Sequence, residues 1–518
     1  MAATIVILLG VSMVASYLSG HHSAMYANPI YRWRESMAIA LSRLQATPLK
    51  GYVSYRSISD HLAQHGLGLM AGEATPLPTW KELTDLVSDR ARMEKLLKEA
   101  SQVPVDHGLP HVTLAGSEKG LADYYYWAFR LFGLNLPALA KFYYVILIAS
   151  VILFFVTFRA SPFAMFLLML YLIAHVYMVD YANMPFIHTI HNSRFFPVLS
   201  VLPALHLLLL LVRGERPAFS TVAMAALQVF IFSFLLFCRV EAVWEGVAII
   251  TTTLLVVRYR PLCNALWHRS QASAAWKGAM VATWPAMLVS AGLLGVAVYS
   301  KVALDRRYYA TETRTHAFWH PLFAGMVGAS PQLARMFPDE SGDYSDNVVY
   351  LAVLADLRAR NEAPPEIAFR QDGMIYINAM RNMGVYDQLV KRVFFNVVKD
   401  HPWLALKSFL YDKPRDQILI FDNAKTMSIR RWLLIAPLTL GATLVAMYAG
   451  LGLPHRHEVR QAWPVLVVIA ACSWLPTLIV PSALIVDVIL FYLMVALLYL
   501  AYLHIAAWRH LRRTPQRV

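Results

Sequence analysis

Glu35 and Asp123 are the carboxylates whose places in the sequence favour chemistry. Each lies in a predicted helix beside a long apolar run, and a positioned carboxylate can take a proton from a substrate hydroxyl. Glu35 lies roughly opposite the apolar stripe of Trp33, Met37 and Leu41, so it faces either an aqueous cavity or open solvent. A solvated surface acid is the alternative for Glu35, and an acid that suits the dipole of a helix start is the alternative for Asp123.

Basic residues that can bind an anion occur in two places. His188, His191 and Arg194 share one short segment between apolar runs, and a phosphate requires fixed cationic donors of this kind. Anchoring at a membrane surface is the alternative for this group. Arg306 and Arg307 form a second pair, at the start of a long polar segment.

Three charged residues lie between two apolar runs: Arg239, Glu241 and Glu245. Ionisable side chains at that depth of a bilayer are costly and usually face the protein interior. Arg239 therefore either contacts a ligand or forms a structural ion pair with Glu241 or with another helix.

Aromatic and acidic side chains are neighbours in the second long polar segment, where Trp319 precedes His320 and Asp343 lies near Asp346. Carbohydrate sites use this combination, because a flat apolar ring covers the sugar and carboxylates accept hydrogen bonds from its hydroxyls. Each residue alone is typical of an ordinary folded loop. Together they predict sugar contacts.

The composition indicates an integral membrane protein. Of 518 residues, 58% are hydrophobic and 15% charged, whereas a soluble chain has about 25% charged residues. Apolar runs of about 20 residues, the length that spans a bilayer, recur along the chain. The net charge is +14, but many arginines lie in short segments between these runs, where they orient helices. Nucleic acid is therefore not an expected partner.

Motifs for nucleotide and zinc chemistry are absent from the sequence. It contains no P-loop, no glycine-rich dinucleotide turn, no nucleophile elbow and no HExxH pattern. The three cysteines lie in or beside apolar runs, and no cluster of cysteine and histidine has zinc spacing. We expect neither ATP hydrolysis nor zinc proteolysis, and we assign no metal ligands.

The apolar runs predict an all-α polytopic membrane protein with about ten transmembrane helices. Its predicted parts are a signal-anchor helix (1–20), a first extracytoplasmic segment with amphipathic helices (21–137), a six-helix transmembrane core (138–300), a second extracytoplasmic segment (301–431), three further transmembrane helices (432–508) and a basic tail (509–518). The core includes runs at 138–158, 162–182, 196–212, 218–237, 242–257 and 280–300.

Basic residues predict the orientation. The short segments expected inside hold most of them: Arg159, Arg213, Arg216, Arg258, Arg260, Arg269, Lys277, Arg456, Arg460 and four arginines of the tail. The intervening short segments hold Arg194 and Arg239 and little else. This bias places both termini in the cytoplasm and both long segments outside a bacterial inner membrane.

Three amphipathic helices are predicted in the first long segment. The first follows an Asn-Pro pair at 28–29. The second opens at Thr79, which has capping-box spacing, and continues through Leu97. The third begins near residue 120 and ends at Gly133, which is placed as its C-cap.

This layout resembles the GT-C class of integral-membrane glycosyltransferases. Asn-Pro-Ile-Tyr-Arg-Trp-Arg-Glu-Ser (28–36) lies where that class has acidic residues after its first span, although Arg34 takes the place of a second acid. Tyr-Tyr-Trp-Ala-Phe-Arg-Leu-Phe-Gly-Leu-Asn (125–135) is similar to its aromatic helix ending in Phe-Gly. The segments at 319–325, 343–346 and 398–413 are similar to patterns in bacterial members. The resemblance covers roughly residues 1–430.

The resemblance implies transfer of a sugar from a polyprenyl-phosphate carrier to a lipid or glycan acceptor on the outer face. Glu35 would be the base and Asp123 a second carboxylate. Arg194, Arg306 and Arg307 would stabilise the departing phosphate, and the carrier's lipid tail would lie between spans. No nucleotide is needed at the site, and some members of the class use a divalent cation.

Two other functions fit the same layout. Intramembrane charges are typical of a transporter or flippase, although the long outer segments and the lack of paired half-repeats disfavour it. A non-catalytic subunit of an envelope-assembly complex would have the same topology, and Glu35 would then be incidental. The enzyme hypothesis alone predicts that Glu35 and the interfacial arginines converge on one cavity.

Overall fold

The computed structural model describes residues 31–45, 56–65, 67, 85–86, 89–105, 119–161, 164–165, 167–168, 171–172, 195–213, 218–238, 245–254, 257, 283–303, 318–337, 346–362 and 379–412. Every regular element in these ranges is helical, which confirms the all-α class. The predicted spans at 4–20, 432–452, 463–480 and 482–508, and the basic tail, lie outside them.

The helices carry the following labels here. They are α1 (Tyr31–Gln45), α2 (Arg56–Gln64), α3 (Arg90–Gln102), α4 (Lys119–Phe132), α5 (Pro137–Phe158), α6 (Phe195–Arg213), α7 (Phe219–Cys238), α8 (Trp284–Ala303), α9 (Trp319–Ala329), α10 (Pro331–Ala334), α11 (Asp346–Ala359), α12 (Ala379–Asp400) and α13 (Pro402–Lys407). A π-helical turn, Ser408–Asp412, follows α13, and a short apolar helix, Glu245–Leu254, lies between α7 and α8.

Helix α1 is enclosed on all sides between Ser36 and Arg43. The predicted apolar stripe is buried at Met37 and Leu41, but every residue from Ser36 to Arg43 is buried as well. The reason is that α1 packs against three neighbours, α2, α3 and α4. The prediction of one apolar stripe opposite a polar face is therefore incomplete for α1.

Helix α3 begins later than its sequence predicts. Asp89 has extended backbone angles, and its side chain accepts a hydrogen bond from the backbone N–H of Arg92 at 3.0 Å. This bond satisfies one of the unpaired donors at a helix start. The prediction of one helix from Thr79 through Leu97 is therefore wrong, because Asp89 interrupts it as an N-cap.

The corner between α4 and α5 was predicted correctly. Gly133 has φ +88°, a left-handed conformation that favours glycine after a helix, and its N–H donates to the carbonyl of Phe129 at 2.9 Å. Asn135 then caps α5, since its side-chain oxygen accepts from the N–H of Ala138 at 3.0 Å. This short corner joins the first polar segment directly to an apolar helix.

Within the described ranges, two helices, α5 and α7, are long and apolar enough to cross a bilayer. They coincide closely with the predicted spans at 138–158 and 218–237. The core helix of a soluble protein can share this length and composition, so the exposed side of α5 is informative. Val145, Ile148, Ile152 and Val156 lie along that side, each 43–54% exposed, and exposed apolar stripes of this kind mark surfaces that something else covers.

Buried polar and small residues join the apolar helices. The Ser150 hydroxyl of α5 donates to the side-chain oxygen of Gln228 on α7 at 3.0 Å, and the Gln228 amide donates to the Ser150 carbonyl at 2.8 Å. A Cβ added at Gly292 of α8 would lie 2.3 Å from Val229 of α7. Small residues and interhelical hydrogen bonds are the usual means of helix packing in membranes.

The buried apolar residues form two clusters. The first core contains residues from Met37 to Val289 and joins α1–α4 with the apolar helices. The second core contains residues from Phe323 to Ala405 and joins α9–α13. The first polar segment thus shares one core with the apolar helices.

Candidate functional site

A buried ion pair joins α1 to α4. Nη1 of Arg43, in the last turn of α1, donates to Oδ1 of Asp123 in the second turn of α4. The two side chains are 5% and 14% exposed. Helix α4 has no acid in its first turn, so the helix-dipole explanation of Asp123 is wrong and its partner is an arginine side chain.

Aromatic rings surround the arginine of this pair. The guanidinium carbon of Arg43 lies 4.4 Å from the ring centre of Tyr126, a cation–π distance, and Nη2 donates to the Tyr299 hydroxyl at 3.4 Å. Arg130, one turn along α4, donates to the Tyr126 hydroxyl. Burial also raises the pKa of the neighbouring Tyr125 hydroxyl well above its ordinary value, which keeps that residue neutral.

The ion pair lies at the ends of three apolar helices. Helix α4 meets the end of α7, since a Cβ added at Gly120 would lie 2.4 Å from the backbone of Phe237, and Cys238 lies within electrostatic range of Asp123. Tyr299, in the last turns of α8, contacts Arg43. The first turn of α5 lies near the same place, because the hydroxyl of Tyr124, the residue after Asp123, donates to the carbonyl of Leu139. The N-terminal end of α5 and the C-terminal ends of α7 and α8 therefore lie near the ion pair.

Glu35 lies on α1, two turns before Arg43. Its side chain is outside the described part of the structure, but its backbone is helical. Positions 39 and 42 continue its side of the helix, and both Ile39 and Ser42 are buried. The side of α1 that bears Glu35 therefore continues into the protein.

Eight other predicted site residues have side chains outside the described part of the structure. His188, His191, Arg194, Arg239, Arg306, Arg307 and Asp343 fall outside the described ranges, and Asp346 is described only as the first residue of α11. Their predicted contacts with phosphate or sugar remain predictions.

Trp319 and His320 belong to the second core. The Trp319 ring packs against Phe394 and Phe395, with ring centroids 5.3 and 5.2 Å apart. The backbone N–H of Trp319 donates to Oδ1 of Asp387 at 3.0 Å. His320 hydrogen-bonds the Tyr386 hydroxyl. These contacts fix both side chains within the fold, and a sugar would have to use the part of Trp319 that they leave accessible.

Glu245 is the acid that the apolar helices bury. It is 1% exposed at the start of the short helix Glu245–Leu254, and its carboxyl lies near the hydroxyls of Ser200 and Tyr171. Glu245 thus faces the protein interior, as the sequence predicts.

One group of described residues could hold a metal ion: His61, His65 and Glu99, whose ligand atoms all lie within 4.8 Å of one another. No such group includes Asp123, whose carboxylate is held by Arg43. The described residues thus offer no ligand set for a divalent cation at the ion pair.

Sequence reasoning missed four residues of the two candidate sites: Arg43 of the ion pair, and the three residues of the possible metal-binding group, His61, His65 and Glu99. Arg43 lies 80 positions from Asp123, and no local pattern relates them. His61 and His65 have the i, i+4 spacing that places two side chains on one helix face, which was an available signal. Glu99, on another helix, had no comparable signal.

No family model, curated protein or solved structure matches this chain. The functional argument therefore rests on the site and on the sequence itself.

Proposed function

We propose that this chain is a GT-C-type membrane glycosyltransferase with about ten spans. It would move a sugar from a polyprenyl-phosphate carrier to a lipid or glycan acceptor on the extracytoplasmic face of a bacterial inner membrane. One observation carries the proposal most strongly: the two candidate carboxylates lie on α1 and α4, which pack together around a buried ion pair at the ends of apolar helices.

The direction of the apolar helices supports this placement. The predicted orientation puts the start of α5 and the ends of α7 and α8 on the outer face, and these three ends lie near Asp123 and Arg43. The exposed apolar side of α5 suits contact with lipid. A carrier with its tail in the bilayer would present its phosphate at the same level.

Glu35 is the base in this proposal. The acceptor hydroxyl gives its proton to the Glu35 carboxylate as its oxygen attacks the anomeric carbon. The bond from that carbon to the phosphate oxygen breaks, and the polyprenyl phosphate leaves with the electron pair. Arginines such as Arg194, Arg306 and Arg307 would stabilise that anion.

Asp123 is better suited to positioning than to proton transfer. An arginine partner favours the ionised form of a carboxylate, so protonation of Asp123 would have to break its pair with Arg43. The pair instead fixes α1 against α4, and thereby the helix that carries Glu35. Asp123 thus supports the base.

Transfer from a panel of radiolabelled polyprenyl-phosphate sugars tests the proposal. Membranes with the wild-type chain should label an envelope acceptor, and Glu35→Gln should lower the rate by about 100-fold or more at equal expression. Glu94→Gln is the matched control, since Glu94 is a partly exposed carboxylate of the same segment that pairs with Lys98, and it should transfer normally.

The other outcomes separate the parts of the proposal. Equal transfer by the wild type and Glu35→Gln would support the glycosyltransferase activity and would show that a residue other than Glu35 is the base. If a normally expressed and folded chain transfers no sugar from any donor, the proposed glycosyltransferase activity is contradicted.

A transporter or flippase is the second candidate, and the buried Glu245 favours it. Ionisable residues inside a span often belong to a solute pathway. Glu245→Gln should then abolish translocation of a labelled lipid-linked sugar across vesicles, whereas a glycosyltransferase should keep its transfer rate in this variant. The two measurements on one variant distinguish the functions.

A further inference from the structure

The first polar segment brings two histidines and one glutamate together. His61 lies on α2, His65 follows the end of α2 one turn later, and Glu99 lies on α3. The two imidazole rings are 4.4 Å apart between centroids. None of these residues belongs to the ion-pair site.

The helices that carry these ligands are held in place by their own packing. Ile58 and Leu62 of α2 and Leu97 of α3 are fully buried. The Ser57 hydroxyl donates to the carbonyl of Pro104, just after α3, at 2.9 Å. The three side chains are therefore brought together by contacts that need no ion.

A hydrogen bond fixes the chemical form of His65. Its Nδ1 lies 2.8 Å from the carbonyl oxygen of His61. A carbonyl oxygen can only accept, so Nδ1 must carry the proton, and in the neutral ring Nε2 then presents its lone pair. Metal-bound histidines usually have this arrangement, in which the second ring nitrogen donates to a carbonyl or carboxylate.

His61 has a shielded nitrogen. Its Nε2 is buried and has no hydrogen-bond partner among the described residues. Burial of an unpaired ring nitrogen is unfavourable, and coordination of a metal ion would remove that cost. The nearby carboxylate of Glu99 adds an anionic oxygen ligand.

We propose that His61, His65 and Glu99 bind one divalent ion of the zinc type, with water at the fourth position. Two imidazole nitrogens, one carboxylate oxygen and an open position form a known zinc ligand set. Ligand atoms around tetrahedral zinc lie about 3.3–3.6 Å apart, given metal–ligand distances of about 2.0–2.2 Å. The present spread of up to 4.8 Å closes through rotation of the exposed Glu99 side chain, with the hydrogen bond of His65 kept.

The bound ion would cross-link α2 to α3. Both helices pack against α1, which carries Arg43 and the candidate base. The inference does not rest on sugar transfer, because it concerns metal binding alone.

Equilibrium dialysis of the full chain against buffered zinc tests the proposal. The detergent-purified protein should have a purification tag without histidine and should first be stripped with a chelator. The wild type should bind one zinc ion per chain, whereas His65→Ala and Glu99→Gln should each weaken binding by more than about tenfold. Loss of a residue that only hydrogen-bonds a metal ligand already costs about 10–100-fold in affinity. Glu94→Gln, on the same helix as Glu99, should bind as the wild type does.

Cobalt substitution gives a second measurement. Cobalt(II) in a four-coordinate site with two nitrogen ligands should produce visible absorption bands in the wild type that Glu99→Gln loses. Zinc binding by Glu99→Gln at wild-type strength would overturn the proposal, since an exposed histidine pair alone would then explain it. Zinc content of the wild type no higher than that of His65→Ala would overturn it as well.

Discussion

The two cores of this protein use the same arginine–carboxylate contact in opposite surroundings. In the first core, Arg43 and Asp123 are 5% and 14% exposed. In the second, Arg392 contacts Asp356 and Glu362 at 2.7 and 2.9 Å, and the arginine is 30% exposed, Asp356 16% and Glu362 42%. The contrast therefore lies in the arginine and in the second carboxylate. Water screens an exposed pair, whereas a buried pair leaves a stranded charge when one partner is lost. Burial decides how much each contact matters.

The largest effect is expected from Arg43→Met. This change removes the arginine that pairs with the buried Asp123, so the full chain should lose about 3–5 kcal/mol of unfolding free energy. Thermal unfolding in detergent, with the exposed Arg130→Met as control, measures the difference. The double variant Arg43→Met/Asp123→Leu should recover most of the loss, and a single variant as stable as the wild type would show that the pair is dispensable.

A smaller effect is expected where α8 packs against α7. A Cβ at Gly292 would lie 2.3 Å from Val229 and 2.8 Å from Ser233, whereas at Gly295 of the same helix nothing lies within 4 Å. Gly292→Ala should therefore cost about 1–3 kcal/mol through overpacking, and Gly295→Ala should not destabilise the chain. Unfolding of both variants in the same detergent compares them, and equal stabilities would mean that α7 and α8 are not in close contact.

The smallest effect is expected from Arg392→Gln in the second core. Removal of a partly exposed pair should cost about 1 kcal/mol or less, and the loss should shrink at high salt. The carboxylates of Glu362 and Asp356 raise the pKa of Arg392. A base with a raised folded pKa stabilises the fold below its ordinary pKa, so the contribution should persist up to strongly alkaline pH. A loss as large as that of Arg43→Met would remove the contrast between the cores.

Local features of the fold could be predicted from the sequence. The corner at Gly133 and the apolar helices α5 and α7 depend on glycine conformation and on composition, both of which neighbouring residues determine. The start of α3 could not be chosen in this way, because Thr79 and Asp89 both suit an N-cap. Burial on all sides of α1 depends on three helices that come later in the chain.

The candidate site was predicted only in part. Asp123 was singled out as a candidate acid, and its chemical role stays a prediction. Its arginine partner was not predicted, since periodicity relates residues a few positions apart and Arg43 is 80 positions away. For the same reason, the proximity of Glu99 to His61 and His65 could not be predicted from local patterns. Local patterns identify helix faces, and the packing of those faces brings distant charges together.

The paired hydrogen bonds of Ser150 and Gln228 have a consequence for the order in which the chain is made. The two residues are 78 positions apart, so at synthesis rates of about 5–20 residues per second roughly 4–16 s separate them. Before Gln228 is made, the Ser150 hydroxyl can hydrogen-bond a carbonyl of its own helix. A glutamine amide in hydrocarbon has no such local hydrogen-bond partner. In the proposed membrane topology, the glutamine comes second and therefore enters the bilayer when its partner is already there.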